Sequence, residues 1–120
     1  MFARIVSLEL KPNTHKQFTE LFEKQILPAL RQQQGFKDEI LLVNPGAPEV
    51  VAISTWNTKE DAEAYGNKTY PTVLKSLAEV VSGTPEVETY QVAFSTLYKI
   101  ALAAAAIQSP ITNPTPGVGG

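Results

Sequence analysis

Residues 2–10, FARIVSLEL, set apolar Ile5, Val6, Leu8 and Leu10 against polar Ser7 and Glu9, the two-residue period of a half-buried strand. Lys11-Pro12-Asn13 reads as a turn. Thr14 with Gln17 three residues on reads as a capping box, with Asn13 a competing cap. Phe18, Leu21, Phe22, Ile26, Ala29 and Leu30 then form one stripe of a helix that runs to about Gln34. Pro28 removes a backbone bond from this helix and predicts a kink, and Gly35 ends it. Phe36 to Val43 and Glu49 to Trp56 read as a hairpin about the turn Asn44-Pro45-Gly46-Ala47-Pro48. Asn57 or Thr58 caps a second helix, which Gly66-Asn67-Lys68 interrupts and Tyr70-Pro71 restarts. Val73, Leu74, Leu77, Ala78 and Val81 make its buried stripe, and Ser82-Gly83-Thr84-Pro85 closes it. Glu86 to about Leu97 is the last strand.

The order β-α-β-β-α-β predicts an α+β, ferredoxin-like domain over residues 1–97: an antiparallel four-stranded sheet with two helices on one face. Strands two and three carry consecutive apolar residues, Ile40 to Val43 and Val50 to Ile53, which predicts burial on both faces. The face without helices then calls for a partner subunit, and a homodimer through the sheet is the expected assembly. Residues 98–120 read as an alanine-rich short helix followed by a Pro/Gly-rich C-terminal tail.

Composition narrows the chemistry. A net charge of −2 gives no basic excess for nucleic acid, and the absence of cysteine removes disulfides, thiolate nucleophiles and Cys-based metal sites together. Met1-Phe2-Ala3-Arg4 does not open a signal peptide, and Ile100 to Ile107 falls far short of the roughly 20 apolar residues of a membrane span. A cytoplasmic protein without membrane contact is expected. P-loop, GxGxxG, HExxH and GxSxG patterns are all missing, so no cofactor and no metal are expected. Any reaction must rest on acid–base groups in a shaped pocket.

The junction Trp56-Asn57-Thr58-Lys59-Glu60-Asp61-Ala62, with Lys11-Pro12, Gly35-Phe36 and Tyr70-Pro71, resembles the antibiotic-biosynthesis-monooxygenase-like family over residues 1 to about 97. That resemblance implies a dimeric α/β barrel, in which two sheets pack face to face. It also implies a cofactor-independent monooxygenase acting on a small electron-rich aromatic or polyketide-like substrate. Members of the family often carry a histidine on the second helix. Here Tyr65-Gly66 occupies that stretch and the sole histidine is His15, which argues against haem degradation and against an imidazole base. Two further readings stay open on the same fold: a non-catalytic dimer that binds a small ligand or serves in stress, and an isomerase or decarboxylase. Whether the chain is an enzyme is not decided by its motifs.

Candidate site residues follow from position. Trp56 could stack on a planar ligand, or simply pack between helix and sheet. Asn57 could bind a ligand oxygen, or act only as a helix cap. Tyr65 and Tyr70 flank the helix break and could bind or protonate an oxygen, or be core residues. Arg4 alternates with Val6 and Leu8 and could stabilise an enolate or carboxylate, or pair with an acid of the last strand such as Glu88. Trp56, Tyr65, Tyr70 and Arg4 are the catalytic candidates, and Asn57 with Trp56 the ligand-binding ones. His15 reads as a surface residue, and Glu86 with Glu88 as solvated acids at the start of a strand.

Overall fold

A computed structural model describes residues 1–97, and the helix and tail expected for 98–120 lie outside the described residues. Strands β1 (Phe2–Leu10), β2 (Phe36–Val43), β3 (Glu49–Trp56) and β4 (Val81–Gln91) form one antiparallel sheet in the order β2-β3-β1-β4. Two helical stretches cross it. The first is α1 (His15–Leu21), a π-helical turn over Phe22–Ile26 and α2 (Leu27–Arg31). The second is α3 (Lys59–Lys68) and α4 (Tyr70–Leu77). The ferredoxin-like α+β plan holds.

Side chains of directly paired residues share a sheet face. The pairs Leu8–Val50, Val6–Ala52, Arg4–Ser54 and Phe2–Trp56 therefore place one set under the helices. There they meet Phe18, Phe22, Ile26, Leu30, Ala62, Tyr65, Val73 and Leu77 in a single core. On the opposite face Ile5, Ile53 and Ile40 form one cross-strand row and Val51 pairs with Leu42. No element of the described residues covers this face, and Ile40, Leu42 and Tyr90 are exposed on it. The burial of β2 on both faces expected from its apolar run is thus not met within one chain.

Local differences from the sequence expectations have physical causes. Thr14 is the N-cap residue of α1 but makes no capping bond. Asn13 adopts φ 62°, which folds the turn back so that the Thr14 hydroxyl donates to the Lys11 carbonyl at 2.7 Å. The π-helical turn stands directly ahead of Pro28, where a wider turn gives the ring room at the Lys24 carbonyl. The second helix is continuous through Gly66, Asn67 and Lys68 and breaks at Thr69 instead. Pro71 has no N–H to offer the Asn67 carbonyl, so the ladder stops there. Thr58 and not Asn57 is the cap, its hydroxyl accepting from the Asp61 N–H at 3.0 Å.

The last strand is also displaced. It begins at Val81 and takes in Ser82-Gly83-Thr84-Pro85, the segment expected as a turn. Pairing slips between Ser7–Glu86 and Glu9–Ser82, and Gly83 at φ +74° absorbs the surplus. A proline is tolerated because β4 is an edge strand. Regular pairing ends at Gln91 opposite Phe2, and one further bond runs from the Val92 N–H to the Met1 carbonyl at 2.9 Å.

Candidate functional site

A row of three residues crosses the helix-covered face: Glu39 on β2, Ser54 on β3 and Arg4 on β1. Arg4 is 6% exposed, yet its guanidinium has no carboxylate within 4 Å, and Lys59–Glu63 is the sole ion pair among the described residues. Its contacts are aromatic: the guanidinium carbon lies 4.1 Å from the Tyr70 ring centre and 5.2 Å from that of Tyr65. Each such contact contributes about 0.5–2 kcal/mol. Gly66 packs beside it, where an added Cβ would reach ordinary van der Waals contact with Nη2 at 3.4 Å.

Ser54 fixes the floor. Its hydroxyl accepts the Trp56 indole N–H at 2.9 Å and lies 3.4 Å from the Arg4 carbonyl, toward which it donates. Trp56 itself is fully buried, stacked on Tyr65 with ring centres 5.1 Å apart and met edge-on by Phe36 at 5.6 Å. Tyr65 and Tyr70 stand 6.0 Å apart on either side of the Thr69 break.

Above this row lies a cavity of about 40 Å³. Its polar end is Arg4, Glu39, Ser54, Tyr65 and Tyr70. Its apolar body is built by Val6, Leu8 and Ala52 from the sheet, and by Phe18, Phe22, Ile26, Leu30, Val73 and Leu77 from the helices. The Tyr70 hydroxyl is buried without a hydrogen-bond partner. A buried polar group left unpaired costs about 1–3 kcal/mol, which a ligand oxygen would recover.

The electrostatics of the site follow from burial around one cation. Burial pushes the Glu39 carboxyl up to about 8, with neighbouring Asp38 adding to the rise and Arg4 opposing it. Glu39 therefore carries a proton at neutral pH. Burial also lowers Arg4, while Tyr65, Tyr70 and Glu39 favour its charged form. Tyr65 is pushed up to about 12 and Tyr70 is raised, each by burial against the pull of Arg4, so both phenols are hydrogen-bond donors at pH 7. The arrangement offers one net positive charge, a carboxylic proton and a free hydroxyl at the end of an apolar slot. That set can bind and stabilise an oxyanion.

Of the residues singled out in the sequence, Arg4, Tyr65 and Tyr70 come together at this cavity. Trp56 stands behind Tyr65 and is not among the lining residues, and Asn57 is exposed, its backbone N–H bonded to the Gly35 carbonyl at 2.8 Å. Arg4 does not face Glu88, which pairs with Ile5 on the opposite side of the sheet. The acid that shares its face is Glu39, which the sequence reading did not single out. His15 bonds through Nε2 to the Ala47 carbonyl at 2.8 Å and holds the β2–β3 turn. No group of three or more His, Cys, Asp or Glu that could hold a metal ion occurs among the described residues. No helix among them is long and apolar enough to cross a membrane.

This fold recurs in solved structures. A Nitrosomonas europaea protein of unknown function, NE2512, matches with TM-score 0.68 at 19% identity, over 81% of this chain and 93% of that one. A second N. europaea chain, named for the antibiotic biosynthesis monooxygenases, matches with TM-score 0.64 at 20% identity, over 78% of this chain and all of that one. The fold is that of the antibiotic-biosynthesis-monooxygenase-like proteins. The same fold carries the Streptomyces coelicolor monooxygenase from the gene ActVA-Orf6, solved with the ligand nanaomycin D. That chain matches with TM-score 0.66 at 16% identity, over 81% of this chain and 91% of its own length. No family model matches the sequence, and no curated protein does either. At these identities the monooxygenase fold is what is shared.

Proposed function

We propose that the chain is a cofactor-independent monooxygenase that oxidises a small electron-rich aromatic or polyketide-like substrate in the cavity beneath Tyr65 and Tyr70. The observation that carries this reading is the buried Arg4 guanidinium, which has aromatic neighbours but no carboxylate and faces an apolar slot. A substrate that must lose a proton and hold the charge on oxygen before meeting O₂ needs such a cation in a dry site. The activated carbon then adds O₂ as a hydroperoxide, which collapses to a carbonyl and water. The substrate supplies all the electrons: a CH₂ and O₂ become C=O and H₂O. Tyr70 donates its free hydroxyl to the developing oxyanion, and Trp56 acts by holding the Tyr65 ring over Arg4.

Oxygen uptake with a panel of hydroquinones and anthrones is the test. Wild type is expected to consume O₂, and Tyr70→Phe to lose about ten- to a hundredfold in kcat/KM with the fold intact. Uptake that is equal in the two proteins would be substrate autoxidation and would sink the reading.

A second reading is a dimeric protein that binds a small ligand in the same cavity without turning it over. At about 40 Å³ the cavity is well below the roughly 150 Å³ that admits benzene, so under either reading an aromatic ligand enters only as side chains of the cavity wall move aside.

In either case we infer a homodimer through the uncovered sheet face, carried by the Ile40–Ile53–Ile5 row and the Leu42–Val51 pair. Ile53→Glu would place a charge in the centre of that face and is expected to give a monomer in analytical ultracentrifugation. A variant that sediments like wild type would rule this face out.

A further inference from the structure

Glu39 has no role in the reading above, yet it lies in the cavity wall on the same cross-sheet row as Arg4, with Ser54 between them. It is the sole carboxylate lining the cavity, set on an edge strand among Leu41 and Val43 of the same face. The geometry points to Glu39 as the group that shares a proton with the bound ligand, so that Glu39 and Arg4 together select one acidic oxygen on an unsaturated carbon, a phenol or an enol. This assignment rests on the cavity being the ligand site, as proposed above, but not on oxygenation.

The charges of the wall dictate the selection. With Glu39 protonated the wall carries Arg4 alone and attracts one negative charge. With Glu39 ionised the two wall residues neutralise each other, and an anion would add an uncompensated charge to a dry site. The favourable complex therefore contains one cation, one anion and one proton held between the Glu39 carboxyl and the ligand oxygen. A phenol or enol meets that demand with either partner as the donor. A neutral ether of the same shape leaves the Arg4 charge unanswered, and a doubly charged ligand exceeds it.

Other titratable groups near Glu39 do not supply the proton. Asp38 is its chain neighbour and faces the other side of the sheet, opposite Thr55. Tyr65 on α3 and Tyr70 on α4 stay protonated through neutral pH. The α1 and π-helical residues of the wall, Phe18, Phe22 and Ile26, carry no ionisable group.

The experiment is anaerobic calorimetric titration of the full chain with 4-nitrophenolate, with 4-nitroanisole as the neutral comparator. Wild type is expected to bind the phenolate at least about tenfold more tightly than the ether at neutral pH, since even a single charge-assisted bond is worth that much. Its affinity is expected to fall about tenfold per pH unit above about pH 8 as the carboxyl ionises. In that range, runs in two buffers of different ionisation heat should report one proton taken up per ligand bound. Glu39→Gln, which keeps the shape and the neutral charge, should bind with flat pH dependence and no proton uptake. Proton uptake that persists in Glu39→Gln, a flat wild-type profile, or no saturable binding by wild type would each overturn the assignment. Proton-linked binding here, together with no oxygen uptake from the hydroquinone and anthrone panel, would retain it and remove the monooxygenase reading alone.

Discussion

Replacing Arg4 with methionine is expected to raise the thermal midpoint of this protein while abolishing its ability to bind an acidic ligand. Arg4 is almost fully removed from water, with two aromatic faces for company and no carboxylate within 4 Å. Desolvating a charge without a partner costs several kcal/mol, and two cation–π contacts return only about 1–4 kcal/mol. Methionine fills a similar volume without that cost, so a gain of about 1–3 kcal/mol is expected, seen as a higher midpoint in scanning calorimetry. Binding and turnover should fall by about 10²–10³-fold, the usual consequence of deleting one preorganised charge stabiliser. The Glu39 carboxyl should also rise further, because Arg4 is what holds it down. A lower midpoint would mean that the guanidinium is well satisfied by the folded chain, and the case for a waiting ligand would fail.

The opposite pattern is expected at Trp56. Trp56→Ala removes a side chain with no exposure, strips the stacking partner from Tyr65 and the edge partner from Phe36, and leaves the Ser54 hydroxyl short of its indole donor. Such truncations cost about 3–5 kcal/mol. For a domain of this size that is a fall on the order of 20 °C in midpoint. Trp56→Phe should recover most of the stability. It should keep phenolate binding within about threefold, since Trp56 does not line the cavity and loses only a hydrogen bond worth about 1 kcal/mol. If Trp56→Phe were as inactive as the Arg4 variant while remaining as stable as wild type, the indole would belong to the ligand and not to the fold.

These two residues show how far the sequence could be read. The element order was legible because β1, the first helix and α4 each keep their own apolar period, 2 for the strand and 3.6 for the helices. Arg4 was legible as a site residue because a cation in phase with Val6 and Leu8 must lie on the core side. Its partner was not. In β2 the count from Phe36 places even-numbered residues on the core side, which hides Glu39. The pairing slips between Phe36–Trp56 and Asp38–Thr55, leaving Lys37 unmatched and bringing Glu39, Leu41 and Val43 to the helix face. A one-residue bulge on an edge strand leaves no compositional mark, so only pairing across the sheet reveals it. The helix break differs from the sequence expectation for another reason: Gly66 reads as punctuation, but the ladder runs through it and stops where Pro71 withholds an N–H from the Asn67 carbonyl.

The unmatched Lys37 also sets which changes in chain length this domain can survive. Shortening β2 by that one residue would leave every remaining pair from Asp38–Thr55 to Val43–Val50 as it stands, and Glu39 would keep its place beside the cavity. Loss of Ile40, three positions later, has no such slack. With the hairpin held at Val43–Val50, Glu39 would slide into the position opposite Ile53 and emerge on the uncovered face among isoleucines. Drift by deletion is thus silent at one site and ruinous at the next, and descendants of this chain that differ in length here should have lost Lys37.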